Sequence, residues 1–432
     1  MKSAQAVDNR ERVFLLGVTL KKTTPHRSGA VERESLLELE ELARSAGATV
    51  TGSLMQVREA IDSATLVGKG KLEEVKIEAR MHRAPLIIVD HNLTPVQLRN
   101  MERLTDCRVI DRTQLILDIF ARHARTREGQ LQVELAQLNY LMPRLSGQGV
   151  ELSRLGGGIG TRGPGEQKLE TDKRRIRERV GKIQKAIDTV RRQRTTRREA
   201  RQAIPLGTIA LVGYTNAGKS TLFNTLTHAE VLTSSKMFAT LDPTIRGVRL
   251  PSRRRVLLSD TVGFIRDLPP GLIAAFRATL EEVQEAALIL HVSDISNPQH
   301  SEHDEEVVKI LRELGVENRP RLRVFNKIDL LSPEEAAALQ KAATNGNGGE
   351  RGALVSAVTG AGLEDLLAQI DAALPVDRIT RVHLRVPLSD GRTLAMVYAA
   401  GRVLSSDPTD EDIALEAEVP ESLARRLVPY AI

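Results

Sequence analysis

Apolar residues in the middle of the chain are grouped in short runs, and each run ends at a polar or glycine-containing segment. Short runs of Val, Ile and Leu are typical of strands that are buried on both faces of a parallel sheet. The runs that predict strands are Thr208–Val212, Arg255–Ser259, Ala287–Ser293, Arg323–Phe325 and Ala353–Val355. Because helical segments separate them, residues 204–374 are predicted to form an α/β domain with a mostly parallel sheet.

The N-terminal 120 residues show the same alternation on a smaller scale. Strands are predicted at Arg12–Thr19, Ala48–Thr51, Pro85–Asp90 and Cys107–Asp111, with helices at Ser35–Ala46 and Thr94–Leu104. This pattern predicts a small parallel α/β domain over residues 1–120. A basic glycine turn at 68–71 lies near its middle, and it is either an ordinary turn or a phosphate contact.

Residues 121–203 show a helical period instead. Apolar residues three or four apart form two stripes, one at Leu131, Leu135, Leu138 and Leu141, the other at Ile176, Val180, Ile183, Ile187 and Val190. Two long helices with narrow apolar stripes are predicted to pair antiparallel as a hairpin. The glycine-rich segment 156–165 joins them, either as a hinge or as a probe that reaches into a confined nucleic-acid cavity.

Residues 375–432 predict a small α+β domain. Val382–Pro387 and Ile413–Val419 alternate like strands, and Gly391–Val403 reads as a helix. The whole chain is therefore predicted to be a multidomain α/β protein, with the sheet domain preceded by the helical hairpin.

The net charge of +6 is modest, but the excess of cations is local. From Lys173 to Arg198 the second predicted helix is dense in Arg and Lys and contains few acids. Such a face favours binding to nucleic-acid phosphates over a network of surface ion pairs. Aromatic residues make up only 3% of the chain, so stacking platforms for single strands are lacking. Structured RNA is the expected target, and no DNA partner is expected.

The remaining composition excludes some classes of protein. Cys107 is the only cysteine, so an intramolecular disulfide is excluded. No apolar run is long enough to span a bilayer, and the first residues lack a signal-peptide core. We expect a cytoplasmic monomer and leave peripheral membrane association open.

A phosphate-binding loop directly follows the first strand of the sheet domain. The chain reads G-Y-T-N-A-G-K-S over residues 213–220, which matches G-x-x-x-x-G-K-S. Here the glycines let backbone N–H groups surround the phosphates, Lys219 pairs with the outer phosphates and Ser220 coordinates Mg²⁺. The residues predicted to bind nucleotide are Gly213, Tyr214, Thr215, Asn216, Ala217, Gly218, Lys219, Ser220 and Thr221.

Three further loops at strand ends complete a guanine-nucleotide site. The segment Asp260, Thr261, Val262 and Gly263 offers a carboxylate for a Mg²⁺-bound water and a glycine for close approach to the γ-phosphate. A carboxylate at Asp329 accepts from the N1–H and 2-amino groups of guanine, which adenine lacks. It ends the motif Asn326, Lys327, Ile328 and Asp329. A backbone N–H for the guanine carbonyl is expected from Ser356, Ala357 and Val358.

Two positions leave the catalytic step open. Thr240 and Thr244 are both candidates for the threonine that joins the Mg²⁺ shell only when the γ-phosphate is present. Phe264 stands where Ras-like GTPases use a glutamine to orient the attacking water. Catalysis then requires another group, a partner surface or a K⁺-like ion, for which Asn216 is a candidate. A slow enzyme that a partner accelerates follows from this.

The chain as a whole resembles the HflX family of ribosome-associated GTPases. The resemblance spans nearly the entire chain and rests on segments 131–138 (LQVELAQL), 158–166 (GIGTRGPGE), 238–242 (FATLD), 260–264 (DTVGF) and 326–329 (NKID). It departs at residues 167–168, where Gln-Lys replaces the usual Thr-Gln. It implies that Phe238, Ala239, Thr240, Leu241 and Asp242 belong to the nucleotide site. It also implies Lys219, Thr240 and Gly263 as catalytic groups, with Ser220 and Thr240 as Mg²⁺ ligands.

The resemblance also implies a partner and a role. Members of this family bind the large ribosomal subunit and its rRNA, hydrolyse GTP there and split stalled or idle ribosomes under stress. In that picture the basic hairpin enters the subunit and the glycine-rich loop approaches the peptidyl-transferase region. ATP use by the N-terminal domain stays open. The main alternative is a GTP-dependent switch that binds proteins or a membrane, for which steep salt dependence is not required. A plain metabolic GTPase is disfavoured because no second catalytic cluster is present.

Overall fold

The structure is a computed structural model of the 432-residue chain. It describes residues 11–20, 28–147, 164–202, 207–227, 237–238, 241, 243–266, 277–335, 339, 352–374, 379–409 and 411–432. The chain forms two compact units. The first comprises Met1–Ile187, Ser234–Leu241 and Asp267–Arg277, and the second comprises Asp188–Thr233, Asp242–Arg266 and Ala278–Ile432.

The first unit contains a four-stranded parallel sheet. Its strands are β1 Arg12–Leu20, β2 Thr49–Arg58, β3 Leu86–Val89 and β4 Arg108–Asp111, in the order β2-β1-β3-β4. The helices around it are α1 Ser28–Ser45, α2 Lys69–Met81, α3 Pro95–Thr105 and α4 Arg112–His123. The predicted small parallel α/β fold is confirmed. The sequence missed α2 because its apolar positions are interrupted by Lys and Glu.

An ionic anchor fastens the first hairpin helix to this sheet. That helix, α5, spans Arg127–Leu141 and is followed by a 3-10 turn at Arg144–Gly147. The Arg144 guanidinium donates to a carboxylate oxygen of Asp111 at 3.1 Å and to the carbonyl of Leu93 at 2.8 Å. It also lies 3.4 Å from the ring centroid of Tyr140. Since Asp111 is fully buried at the end of β4, this contact joins the turn after α5 to the sheet.

The second hairpin helix, α6, spans Pro164–Gln202. Ile183 and Ile187 on it are buried, as the helical period predicts. On α5 the leucines of the predicted stripe are not fully buried, and Leu141 is 42% exposed. The buried residues there are Gly129, Gln132, Val133 and Ala136. Leu131, Leu135 and Leu138 of the predicted stripe are half-buried, so the pairing of this stripe with α6 stays a prediction.

The second unit is built on a six-stranded sheet. Its strands are β5 Gly207–Gly213, β6 Thr244–Arg249, β7 Arg255–Asp260, β8 Leu288–Asp294, β9 Arg321–Asn326 and β10 Gly352–Leu354. The order is β10-β9-β8-β5-β7-β6, and every neighbouring pair is parallel except β6 with β7. The described helices are α7 Lys219–Thr227, α8 Arg277–Glu285, α9 His300–Glu313 and α10 Leu363–Ala373.

This topology positions the functional loops. The five parallel strands are the five that the apolar runs predict, so the mostly parallel fold is confirmed. Their carboxyl ends meet at one edge of the sheet, which is where ligands bind in open α/β folds. The loops that follow β5, β7, β9 and β10 carry the four predicted nucleotide motifs.

The C-terminal part of the second unit is a small antiparallel α+β fold. It contains β11 Ile379–Pro387, α11 Gly391–Ala400, β12 Arg402–Pro408, β13 Asp412–Pro420 and α12 Glu421–Leu427, with strand order β11-β13-β12. The predicted helix over 391–403 is too long, because it ends at Ala400 and β12 follows. β12 is almost wholly exposed and carries no apolar run, so the pattern could not reveal it. None of the described helices is long and apolar enough to cross a membrane.

Candidate functional site

The phosphate loop connects β5 to α7 and is shaped by a close approach at Gly218. This residue has φ +89°, and a Cβ atom added there would lie 2.2 Å from Nδ2 of Asn326. A side chain is therefore excluded on both conformational and steric grounds. Asn216 in the same loop also adopts a left-handed conformation, with φ +62°, which asparagine tolerates better than most residues.

The side chain of Asn326 joins two of the motif loops. Its Nδ2 donates to the carbonyl of Ala217 at 2.9 Å, and its Oδ1 accepts from the N–H of Ala357 at 3.0 Å. Asn326 is 1% exposed, so both hydrogen bonds are shielded from water. The phosphate loop and the Ser356–Ala357 segment are thereby held at a fixed separation.

Lys219 is buried at the start of α7. Its ammonium donates to the carbonyls of Gly213 at 3.0 Å and Tyr214 at 2.7 Å, so it lies folded back on its own loop. Burial lowers the pKa of Lys219 to about 8, against an opposing effect of the Asp260 carboxylate. A polyphosphate in the loop would stabilise the ammonium and raise this pKa again.

Two side-chain oxygen groups that could bind a metal ion meet beside the phosphate loop. The Ser220 hydroxyl donates to Oδ2 of Asp260 at 2.7 Å, and Asp260 is fully buried at the end of β7. A hydroxyl and a carboxylate are hard oxygen ligands of the kind that Mg²⁺ prefers. The donor set on this side of the loop therefore fits a magnesium ion.

The segment after β7 is closely packed on the phosphate loop. A Cβ atom added to Gly263 would lie 2.9 Å from Cα of Thr215 and 3.0 Å from Nζ of Lys219, so only glycine fits there. Phe264 pairs with the loop on both sides, because its N–H donates to Gly213 at 3.0 Å and its carbonyl accepts from Thr215 at 2.7 Å. The Phe264 ring itself is 3% exposed.

Tyr214 adds two contacts that the sequence did not reveal. Its hydroxyl accepts from the N–H of Arg266 at 2.9 Å. Its ring stacks on His303 of α9, with 3.9 Å between ring centroids and an interplanar angle of 3°. The tyrosine in the phosphate-loop motif is visible in the sequence. Its two contacts could not be predicted, because Arg266 and His303 are distant from it in sequence.

The predicted base-binding residues follow β9 and β10. Lys327 has φ +67°, and its ammonium lies 2.6 Å from a carboxylate oxygen of Asp294. Asp329 is exposed in the 3-10 turn at Ile328–Leu330. Ser356 is fully buried, Ala357 is nearly so, and Val358 is exposed. The structure thus brings these segments to the same sheet edge as the phosphate loop.

The remaining predicted site residues belong to the first unit or lie outside the described part. Phe238 is buried in the first unit, edge-on to Phe120 with 4.6 Å between ring centroids. The neighbouring Met237 donates its N–H to the Ser45 hydroxyl at 2.8 Å. Leu241 is also buried. Three predicted residues are outside the described ranges, namely Ala239, Thr240 and Asp242.

Three models of protein families match successive parts of the chain. Models for the N-terminal and middle regions of GTP-binding GTPases match residues 33–121 and 123–201. A third, described as a 50S ribosome-binding GTPase, matches residues 208–327. GTPase HflX of Caldanaerobacter subterraneus subsp. tengcongensis is 44% identical over 98% of this chain and 94% of its own length.

The chain belongs to the GTPase HflX family. GTPase HflX of Escherichia coli is likewise 42% identical over 92% of each chain. Among solved structures, a GTP-binding protein from Sulfolobus solfataricus in complex with GDP is 25% identical, with a TM-score of 0.44 over 84% of this chain and 98% of that one. Membership makes this HflX protein an enzyme that hydrolyses GTP, in agreement with the loops described above.

The depressed pKa of Lys219 predicts a pH-dependent affinity for nucleotide. In the protein without nucleotide, the ammonium of Lys219 has a pKa of about 8. Because bound phosphates raise this pKa, nucleotide binding takes up a proton when the pH is above about 8. GDP affinity should be nearly constant between pH 7 and 7.5 and should fall by up to about tenfold per pH unit above 8. Calorimetry in two buffers of different ionisation enthalpy measures the proton uptake.

Lys219→Arg is the matched control, since an arginine stays charged at these pH values. Its GDP affinity, whatever its absolute value, should show no proton uptake near pH 8.5. The assignment fails if the wild type takes up no proton there, or if the arginine variant takes up as much as the wild type.

Proposed function

We propose that this HflX-family GTPase acts on the large ribosomal subunit, contacts its rRNA through α6 and separates stalled or idle ribosomes. The match of residues 208–327 to a 50S ribosome-binding GTPase supports the partner. The exposed cationic face of α6 is the single observation that supports the mode of contact. Because the ring of Phe264 cannot orient water, the bound subunit is expected to accelerate hydrolysis.

Three arginines on α6 are available for phosphate contacts. Arg174 and Arg175 are 73% and 75% exposed, and Arg177 is 61% exposed. Their nearest acidic oxygens lie 3.8–3.9 Å away, which is beyond hydrogen-bond distance. Exposed pairs of this kind contribute little to stability, so exchanging them for phosphates costs little. Lys182 is exposed one to two turns further along the helix.

Arg179 has a different role in the same region. Its guanidinium makes two hydrogen bonds to the Glu134 carboxylate, at 2.7 and 2.9 Å, and so ties α6 to α5. The Glu134 carboxylate raises the pKa of Arg179 further, so this arginine is charged at every relevant pH. Substituting it would alter the hairpin itself, and it is therefore unsuitable as a probe of RNA contact.

For the nucleotide we propose that Asp329 reads guanine and that Ser220, with Asp260 close by, holds the magnesium ion. The resemblance adds Thr240 as a second Mg²⁺ ligand, and Lys219 and Gly263 as the groups at the γ-phosphate. Magnesium supplies charge neutralisation on the phosphates when bound. The residues of the chain orient the triphosphate and exclude water around it.

Two substitutions separate the base contact from the metal contact. Asp329→Asn should shift preference from guanine toward xanthine nucleotides by at least about tenfold, because the amide donates where the carboxylate accepted. Its Mg²⁺ requirement should be unchanged. Ser220→Ala should raise the Mg²⁺ concentration for half-maximal turnover and keep the base preference. Competition binding and Mg²⁺ titration measure both, and a variant that moves both quantities together would contradict the assignment.

Charge reversal tests the RNA contact. The triple variant Arg174→Glu, Arg175→Glu and Arg177→Glu should sediment poorly with large subunits. The slope of log affinity against log salt should fall by about two to three, one for each lost phosphate contact. GTP binding by the free protein should be unchanged. Sucrose-gradient sedimentation across a salt series, with a non-hydrolysable GTP analogue, measures the effect.

The control carries the same change in net charge on another surface. It is the triple variant of exposed arginines on the N-terminal α/β fold, Arg83→Glu, Arg99→Glu and Arg103→Glu. Light scattering of intact ribosomes with each variant reports splitting. The proposal is wrong if the α6 variant binds and splits as well as wild type, and a shallow wild-type salt slope would favour a protein or membrane partner.

A further inference from the structure

One hydroxyl group at the nucleotide site is buried and has no hydrogen-bond partner among the described residues. Thr215 is 6% exposed, and within the described part of the chain its Oγ1 makes no hydrogen bond. Its backbone N–H is occupied by the Phe264 carbonyl at 2.7 Å. A buried hydroxyl without a partner costs about 1–3 kcal/mol, so its retention inside a working site points to a bond made during function.

The side chain of Thr215 adjoins Gly263, which also lies next to the ammonium of Lys219. The close packing at Gly263 shows this, because a Cβ atom there would lie 3.0 Å from Cγ2 of Thr215 and 3.0 Å from Nζ of Lys219. In the G-x-x-x-x-G-K-S motif the lysine pairs with the outer phosphates. The Thr215 hydroxyl is carried on the same Cβ as this methyl group, so the side chain adjoins the place where the γ-phosphate is expected.

Among the described residues next to Thr215, the side chains of Phe264 and Tyr214 do not offer a free group for the attacking water. Phe264 is apolar and buried, and its backbone is paired with Gly213 and Thr215. The Tyr214 hydroxyl already accepts from the N–H of Arg266. Thr215, in contrast, carries one O–H donor and two acceptor lone pairs, which suffice to hold a water molecule in a fixed direction.

We propose that the Thr215 hydroxyl positions the attacking water for GTP hydrolysis, in the role that a glutamine performs in Ras-like GTPases. The water oxygen forms a bond to the γ-phosphorus, and the bond from that phosphorus to the β–γ bridging oxygen breaks, with its electron pair staying on GDP. The proton of the water passes to a phosphate oxygen. Thr215 ends the reaction unchanged, because it orients the water and exchanges no net proton.

Two substitutions of similar size distinguish positioning from packing. Thr215→Val replaces the hydroxyl with a methyl group, and Thr215→Ser keeps the hydroxyl and removes the methyl group. Single-turnover hydrolysis is measured with full-length protein in excess over radiolabelled GTP, so that slow rates remain measurable, both alone and with large ribosomal subunits. Affinities for GDP and for a non-hydrolysable GTP analogue are measured on the same preparations.

Thr215→Val should hydrolyse GTP at least about tenfold more slowly, the effect of losing one hydrogen bond in the transition state. Its affinities for GDP and the analogue should stay within about twofold of wild type, and Thr215→Ser should keep most of the rate. The proposal is overturned if the valine variant hydrolyses as fast as wild type. It is also overturned if the serine variant is as slow as the valine variant, or if GDP affinity falls by the same factor as the rate.

Discussion

The nucleotide site depends on one buried amide side chain. Asn326 is the last residue of β9, and its Nδ2 and Oδ1 hold the phosphate loop and the loop after β10, each by a hydrogen bond to the backbone. A phosphate loop must leave its own N–H groups free for the anion, so it cannot be stabilised by a regular ladder. Its shape must come from neighbours. This contact requires a glycine at position 218, because any side chain there would displace the Asn326 amide.

The same constraint explains the state of the catalytic segment. In the described part of the chain, the Lys219 ammonium donates to two carbonyls of its own loop, those of Gly213 and Tyr214. On the other side, the residues after β7 extend the parallel pairing of β5 with β7 by one bridge, from Tyr214 to Phe264. This extension fixes Phe264 by its backbone and buries its ring. Water orientation then has to come from the loop or from a partner surface.

Much of the site could be predicted from the sequence because its motifs directly follow apolar strands. A parallel sheet brings the carboxyl ends of those strands to one edge, so the loops after β5, β7 and β9 had to meet. Contacts between side chains distant in sequence could not be predicted in this way. The role of Asn326 and the pairing of Phe264 both require the folded sheet. Thr240 stays a prediction, since it lies outside the described residues.

Elsewhere the sequence failed where burial is decided by a neighbour. The leucines of α5 have helical spacing, but the fully buried residues of that helix are Gly129, Gln132, Val133 and Ala136. β12 is an exposed strand with few apolar residues, so it could not be predicted from an alternation of apolar and polar positions. The charge run on α6 was visible from the sequence, whereas the commitment of Arg179 to Glu134 was not. Arg179 therefore links the two hairpin helices, whereas Arg174, Arg175 and Arg177 face solvent.

Hydrogen exchange of the phosphate loop tests the role of Asn326 most directly. Asn326→Ala removes both of its hydrogen bonds, whereas Asn326→Asp keeps the acceptor for Ala357 and loses the donor to Ala217. Amide exchange is expected to be faster in the phosphate loop and in the loop after β10 for the alanine variant. For the aspartate variant it is expected to be faster in the phosphate loop alone. Amides of the N-terminal sheet should not change in either. Unchanged exchange in the phosphate loop of the alanine variant would contradict the account.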